Sequence, residues 1–220
     1  TIDGTLVPPG EFVGQAEASG LIVPMGSWVV RRELADVARL DAYGPDLMVA
    51  VNVSPTQLRD IGFADFLLRQ AELNDVPPSR LRVEVTETAL LHDPRRSAAE
   101  LGQLSSAGVS VALDDFGTGF SSLSWLTDFP VDVVKVDRSF TSDVVHDARK
   151  AAVVRAITSA SDAMGFSVIA EGIETDEQLE CLAELGCALG QGYLFGAPAP
   201  LGEEPWARYP DRSSAPAPVG

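Results

Sequence analysis

The sequence predicts an α/β fold, a (β/α)8 TIM-type barrel that is incomplete at the N-terminus. Three observations support this. Apolar, β-branched runs alternate with helix-length segments; a polar residue sits at or near the far end of each run; and no glycine fingerprint follows the first run. The alternation implies a parallel sheet covered on both faces. Polar groups at successive strand ends favour a barrel, which gathers those ends around one mouth, over a doubly wound sheet, which focuses its site at one crevice. A closed barrel of this type takes about 250 residues and eight strands. Six strands are legible here, so part of the barrel is expected to be missing on the N-terminal side.

The first segment is turn-rich, with Pro9 suited to N1 of a helix over 10–19 closed by Gly20. A second helix is expected over 24–42, with Trp28, Val29, Leu34, Val37 and Leu40 as its core face. Strands follow at 47–53 with Asn52 near the end, at 81–85 interrupted by Glu84 and followed by Glu87, and at 109–113 leading into Asp114 and Asp115. Further strands are read at 131–136, carrying Lys135 and leading to Asp137; at 167–170, delivering Glu171 with Glu174 after it; and at 188–195, including Gln191. The intervening helices are expected over 63–73, 95–107, 121–127, 139–164 and 176–185. The last carries a capping box, Thr175 with Gln178, and a closing glycine at Gly186. Residues 1–204 read as one domain. Composition shifts to Pro, Ala, Ser and Gly toward the end, and residues 205–220 read as a disordered tail.

With 220 residues, 45% hydrophobic and 22% charged, the chain has the composition of a soluble globular domain with one sizeable core. No apolar run reaches the ~18 residues that span a bilayer, so no membrane contact is expected from this segment. The net charge of −16 argues against a nucleic-acid polymer as partner, though not against a small anion met by cation-loaded carboxylates. Cys181 and Cys187 lack metal-type partners and read as reduced thiols, which places the protein in the cytoplasm. His92 and His146 have no ligand spacing and read as solvated.

The stretch from Val109 to Leu123 concentrates the chemistry. Asp114 and Asp115 at the mouth of an apolar strand repel each other and lose hydration, which a divalent cation or a shared proton would offset. Gly117, Thr118 and Gly119 then form a turn whose N–H groups can face an anion, and Ser121 or Ser122 can cap a helix. Asn52, Glu84, Asp114, Asp115 and Glu171 offer oxygen donors from four strands, the set that Mg²⁺ or Mn²⁺ takes. Two ions sharing Asp114 would suit phosphodiester hydrolysis, with Lys135 orienting water or balancing charge on the phosphate. Each residue also has a plainer reading. Asn52 can cap the turn at Ser54, an aspartate can N-cap a helix, Lys135 can pair with Asp137, and Glu171 with Glu174 can form a solvated edge. Glu84 fits such a reading worst, because it interrupts a strand expected to be covered on both faces.

Seven segments in order, LVPPGEFVGQAEASGLI, VNVSPTQL, LRVEVTETALL, VALDDFGTGFSSLSWL, FPVDVVKVDRSF, VIAEGIET and LGQGYLFGAP, resemble the EAL domain family. Its members are bacterial phosphodiesterases that open c-di-GMP to linear 5′-pGpG. The resemblance implies that Asn52, Glu84 and Asp114 bind a first Mg²⁺ or Mn²⁺, and that Asp115 binds a second sharing Asp114. It implies that Lys135 holds the attacking water and that Glu171 is general base or metal ligand. Glu87 matches the residue anchoring the loop of Gly117, Thr118 and Gly119; Asp137, Glu174 and Gln191 match positions supporting metal and substrate. A homodimer is implied as well. The family's Glu-Ala-Leu motif, which supplies a first-metal ligand, is not among residues 1–220. The competing expectation is therefore a catalytically inactive c-di-GMP-binding or dimerisation module. An unrelated metal-dependent barrel would leave the motif series unexplained.

Overall fold

The structure is a computed structural model that describes residues 7–40, 47–117 and 123–199, with the side chains of 38–40 and 123–125 excepted. It divides into two compact units, Thr1–Val134 and Lys135–Gly220. The expected tail, Thr118, Gly119 and the proposed caps Ser121 and Ser122 lie outside the described residues.

The first unit opens with helix α1, Pro9–Ser19, begun by Pro9 and closed by Gly20 in the left-handed region at φ 76°. Helix α2, Ile22–Leu40, starts two residues earlier than expected. Pro24 is tolerated there because first-turn N–H groups have no helical partner to lose. Its buried stripe is Ile22, Val30, Leu34 and Val37. Trp28, expected in the core, is 64% exposed. It lies two positions, about 200°, around the helix from the buried Val30, so it points away from the core face. Gly26 has a specific task on this helix: a Cβ there would stand 2.1 Å from the Gln57 amide.

Strand β1, Val49–Asn52, leads into the short helix α3, Pro55–Leu58, capped by a Ser54–Gln57 capping box. Helix α4, Phe63–Leu73, has no side-chain cap of its own at Gly62. The buried Glu100 carboxylate supplies one from another helix, accepting from Gly62 N at 3.2 Å and Ala64 N at 2.9 Å. Strand β2, Leu81–Thr86, runs directly into helix α5, Glu87–His92, where the Thr86 hydroxyl accepts from Ala89 N. Helix α6, Pro94–Ser106, is capped by Asp93 and leads to strand β3, Ser110–Phe116. The three strands pair in parallel, β1 with β2 and β2 with β3. Strand β4, Val133–Val136, begins in this unit and ends in the next.

In the second unit, the long helix expected over 139–164 is two helices, α7 (Arg138–Thr141) and α8 (Ala148–Met164). Aspartates divide it. Asp137 caps α7 through Ser139 N, and Asp147 caps α8 through Arg149 N and Lys150 N. A carboxylate bonding nearby N–H groups competes with continued helix, and here it wins. Strand β5, Ser167–Ala170, and helix α9, Asp176–Glu184, with its Thr175–Gln178 capping box, follow as expected. Strand β6 is shorter than expected, Leu189–Gly190, and pairs in parallel with β5. Cys181 and Cys187 are both free thiols, and burial pushes Cys187 up to about 11. Among the described residues no helix is long and apolar enough to cross a membrane.

One carboxyl of the first unit couples the fold to pH. Burial raises Glu33 on α2 from its ordinary 4.5 to about 7, and its Oε2 has no hydrogen-bond partner among the described residues. The folded state therefore favours the neutral form, so the contribution of Glu33 is fully present below pH 4.5 and is lost as pH rises toward 7. Glu33→Gln removes that loss. Denaturant titrations are expected to show the variant more stable than the parent by ~1–2 kcal/mol at pH 8, solvent at the half-buried side chain tempering the effect, and by far less at pH 5. Equal differences at the two pH values would contradict this.

Candidate metal and phosphate site

Parallel register places the oxygen donors of the first unit. Asn52 stands opposite Glu84, and Glu84 opposite Ala112. Asp114 lies two residues beyond Ala112, so it shares the face of Asn52 and Glu84. Val83, Val85, Val111 and Leu113 alternate onto the other face and are buried there. Glu84 is 8% exposed, as its position inside a covered strand predicts, whereas Asn52 is exposed. The capping role considered for Asn52 falls to Ser54.

Strand β3 extends through both aspartates instead of ending before them. Asp115 takes φ 54°, a left-handed conformation that aspartate tolerates better than most residues and that costs of order 1 kcal/mol. The backbone thereby kinks at Asp115 within β3, and Gly117 opens the turn after the strand at φ 99°. One amide and the neighbouring carboxylates give all-oxygen, largely anionic donors on one sheet face. That donor set suits a hard divalent cation such as Mg²⁺ or Mn²⁺. Glu87 is buried as the first residue of α5.

The second unit builds its own constellation at the ends of β4, β5 and β6. Lys135 is 3% exposed, and its Nζ lies 2.7 Å from Glu171 Oε1. Gln191 Nε2 donates to the same oxygen at 2.6 Å. The backbone aligns these groups by carrying the sheet ladder past the strand ends. Glu171 N donates to Val136 O, Gln191 N to Ala170 O, and Ile173 N to Gln191 O. Lys135 therefore pairs with Glu171 instead of Asp137, whose carboxylate caps α7. Glu174 is exposed, its N–H held by Gln178 Oε1 at 2.7 Å.

Sequence reasoning passed over Thr141, a fully buried residue whose hydroxyl donates to the Glu171 carbonyl. The only signal for it is the Asp137-Arg138-Ser139 cap, which starts a one-turn helix ending at Thr141.

Comparison with known proteins places the chain in a family. The EAL domain family matches residues 1–198, and the chain belongs to that family. The bifunctional diguanylate cyclase/cyclic di-GMP phosphodiesterase MucR of Pseudomonas aeruginosa is 39% identical over 196 residues, covering 89% of this chain and 29% of that protein. The solved PaMucR phosphodiesterase–c-di-GMP complex matches with a TM-score of 0.86 at 38% identity, covering 91% of this chain and 82% of the other. BlrP1 of Klebsiella pneumoniae, solved with manganese and c-di-GMP, matches with a TM-score of 0.73 at 29% identity over 79% of this chain and 44% of the other. These likenesses establish the expected fold class, the TIM-type barrel of EAL domains. The chain spans roughly a quarter of the length of the first curated relatives it matches.

The Lys135–Glu171 pair gives a structural prediction. Glu171→Leu removes the carboxylate from a buried ammonium and is expected to cost about 2 kcal/mol in denaturant titrations. Adding Lys135→Met is expected to recover most of that loss. Additive losses in the double variant would show that the two side chains are not coupled.

Proposed function

We propose that this chain is the phosphodiesterase domain of a metal-dependent enzyme that hydrolyses c-di-GMP to 5′-pGpG in bacterial second-messenger signalling. The observation that carries the reading is the register Asn52–Glu84–Ala112, with Asp114 one pleat further on the same face. Asn52, Glu84 and Asp114 would hold a first Mg²⁺ or Mn²⁺, and Asp115, beside Asp114, would hold a second; when bound, such ions would supply an activated water and neutralise charge on the phosphodiester.

The chain's own residues do the rest. The Lys135 ammonium fixes the water's orientation and draws negative charge from the phosphate as it gathers. Glu171 has one oxygen held by Lys135 Nζ and Gln191 Nε2, which directs the carboxylate to accept the water's proton or to bind metal. Asp137 acts through α7, which it caps, and Glu174 acts through the loop that follows Glu171. Glu87, buried at the start of α5, and Gly117 would couple the metal ligands to a homodimer contact.

The test uses the full-length protein with Mg²⁺ or Mn²⁺ and c-di-GMP, with products separated by chromatography. Appearance of 5′-pGpG, its loss on chelation, and a drop in kcat of at least ~100-fold for Asp114→Asn are expected. Tight c-di-GMP binding without pGpG would overturn the reading in favour of a binding module.

A further inference from the structure

The second unit fixes Glu171 by its backbone as well as by its carboxylate, and the residue that does so has no place in the mechanism above. Thr141 is 0% exposed and closes the one-turn helix α7. Its hydroxyl reaches the carbonyls of Arg138, at 3.3 Å, and of Glu171, thirty residues away in sequence. A buried hydroxyl needs a partner, and the Glu171 carbonyl, which faces α7 beyond the end of β5, needs a donor.

The next residue seals the contact. Gly172 takes φ 66°, and a Cβ on it would stand 2.6 Å from Arg138 Cβ and 3.5 Å from Arg138 Cα. The chain after Glu171 is therefore pressed against α7 with no room for a side chain. Glu171 N is held by Val136 O at 3.1 Å. With both sides of its peptide frame held, Glu171 directs its carboxylate to Lys135 Nζ and Gln191 Nε2.

We propose that Thr141 is a positioning residue, which sets the aim of the Glu171 carboxylate by holding the Glu171 carbonyl against α7. Its kinetic consequence rests on the hydrolytic reading above, whereas its structural consequence does not. Asp137 belongs to the same device, because its capping bond to Ser139 N begins the helix that Thr141 ends.

The test compares Thr141→Val, which keeps the shape and removes the hydroxyl, with Thr141→Ser, which keeps the hydroxyl, in the full-length protein. Hydrogen–deuterium exchange in the peptide 168–175 is expected to speed up by roughly five- to tenfold in Thr141→Val, with helix α8 unchanged. Turnover of c-di-GMP is expected to fall by about tenfold in kcat, with KM within about twofold. Thr141→Ser is expected to restore both. Unchanged exchange in Thr141→Val, faster exchange spread equally through α8, or a Thr141→Ser variant as impaired as Thr141→Val would overturn the proposal. If the parent protein turns over no c-di-GMP, the hydrolytic reading fails, and the exchange comparison alone decides the role of Thr141.

Discussion

The constraint on which the first unit depends is the parallel register of β1, β2 and β3. A strand alternates its side chains with a period of two, so a shift of one residue moves every side chain to the opposite face. Here one setting buries Val83, Val85, Val111 and Leu113 together. The same setting brings Asn52, Glu84 and Asp114 to the other face. Packing energy therefore selects the arrangement of the polar groups. Burying a Val or Leu side chain is worth about 1.5–3 kcal/mol, and several must be displaced before Glu84 turns away. The donors are gathered at little cost to the core because the two requirements fall on alternate residues. The cost that remains is electrostatic, carboxylates near one another with reduced hydration, and that imbalance suits a cation.

The second unit solves a different problem. Lys135 is nearly inaccessible to solvent, and a buried ammonium is tolerated when charge-assisted bonds replace its water. Glu171 supplies one such bond, and its own geometry is set by neighbours on three sides: β4 through Val136, β6 through Gln191, and α7 through Thr141. A side chain held this way is pre-organised, so little reorganisation is needed when charge moves nearby. The short helix α7 looks incidental in the sequence. Capped by Asp137 and closed by Thr141, it is the shelf on which the Glu171–Gly172 bend rests.

Much of this was legible in the residues. Alternation of apolar runs and helix-length segments gave the fold class, because parallel strands need crossovers and cover. Glu84 inside Val83-Glu84-Val85 stood out as a carboxylate in a covered strand, and it is buried there. Pro9, Gly20, Thr175 and Gln178 marked helix ends correctly, their bonds being local. The misses have a common origin in bonds that reach across the sequence or compete with a helix. Residues 139–164 read as one helix because apolar spacing ignores the capping power of Asp147. Helix α5 was not among the expected helices, although Thr86 is a cap. Trp28 was placed on the core face by its near-helical spacing with Leu34 and Val37, and it is exposed. The left-handed turn at Asp115, the cap Glu100 lends to α4, and the reach of Thr141 to Glu171 leave no pattern in a linear text.

The central claim is that strand register, set by apolar packing, assembles an oxygen cage for a divalent cation from Asn52, Glu84 and Asp114. Anomalous diffraction at the manganese edge, from crystals of the full-length protein grown with Mn²⁺, tests it most directly. The account predicts a peak about 2.0–2.3 Å from an oxygen of each of the three residues. Well-ordered side chains at all three positions with no anomalous density between them would contradict it.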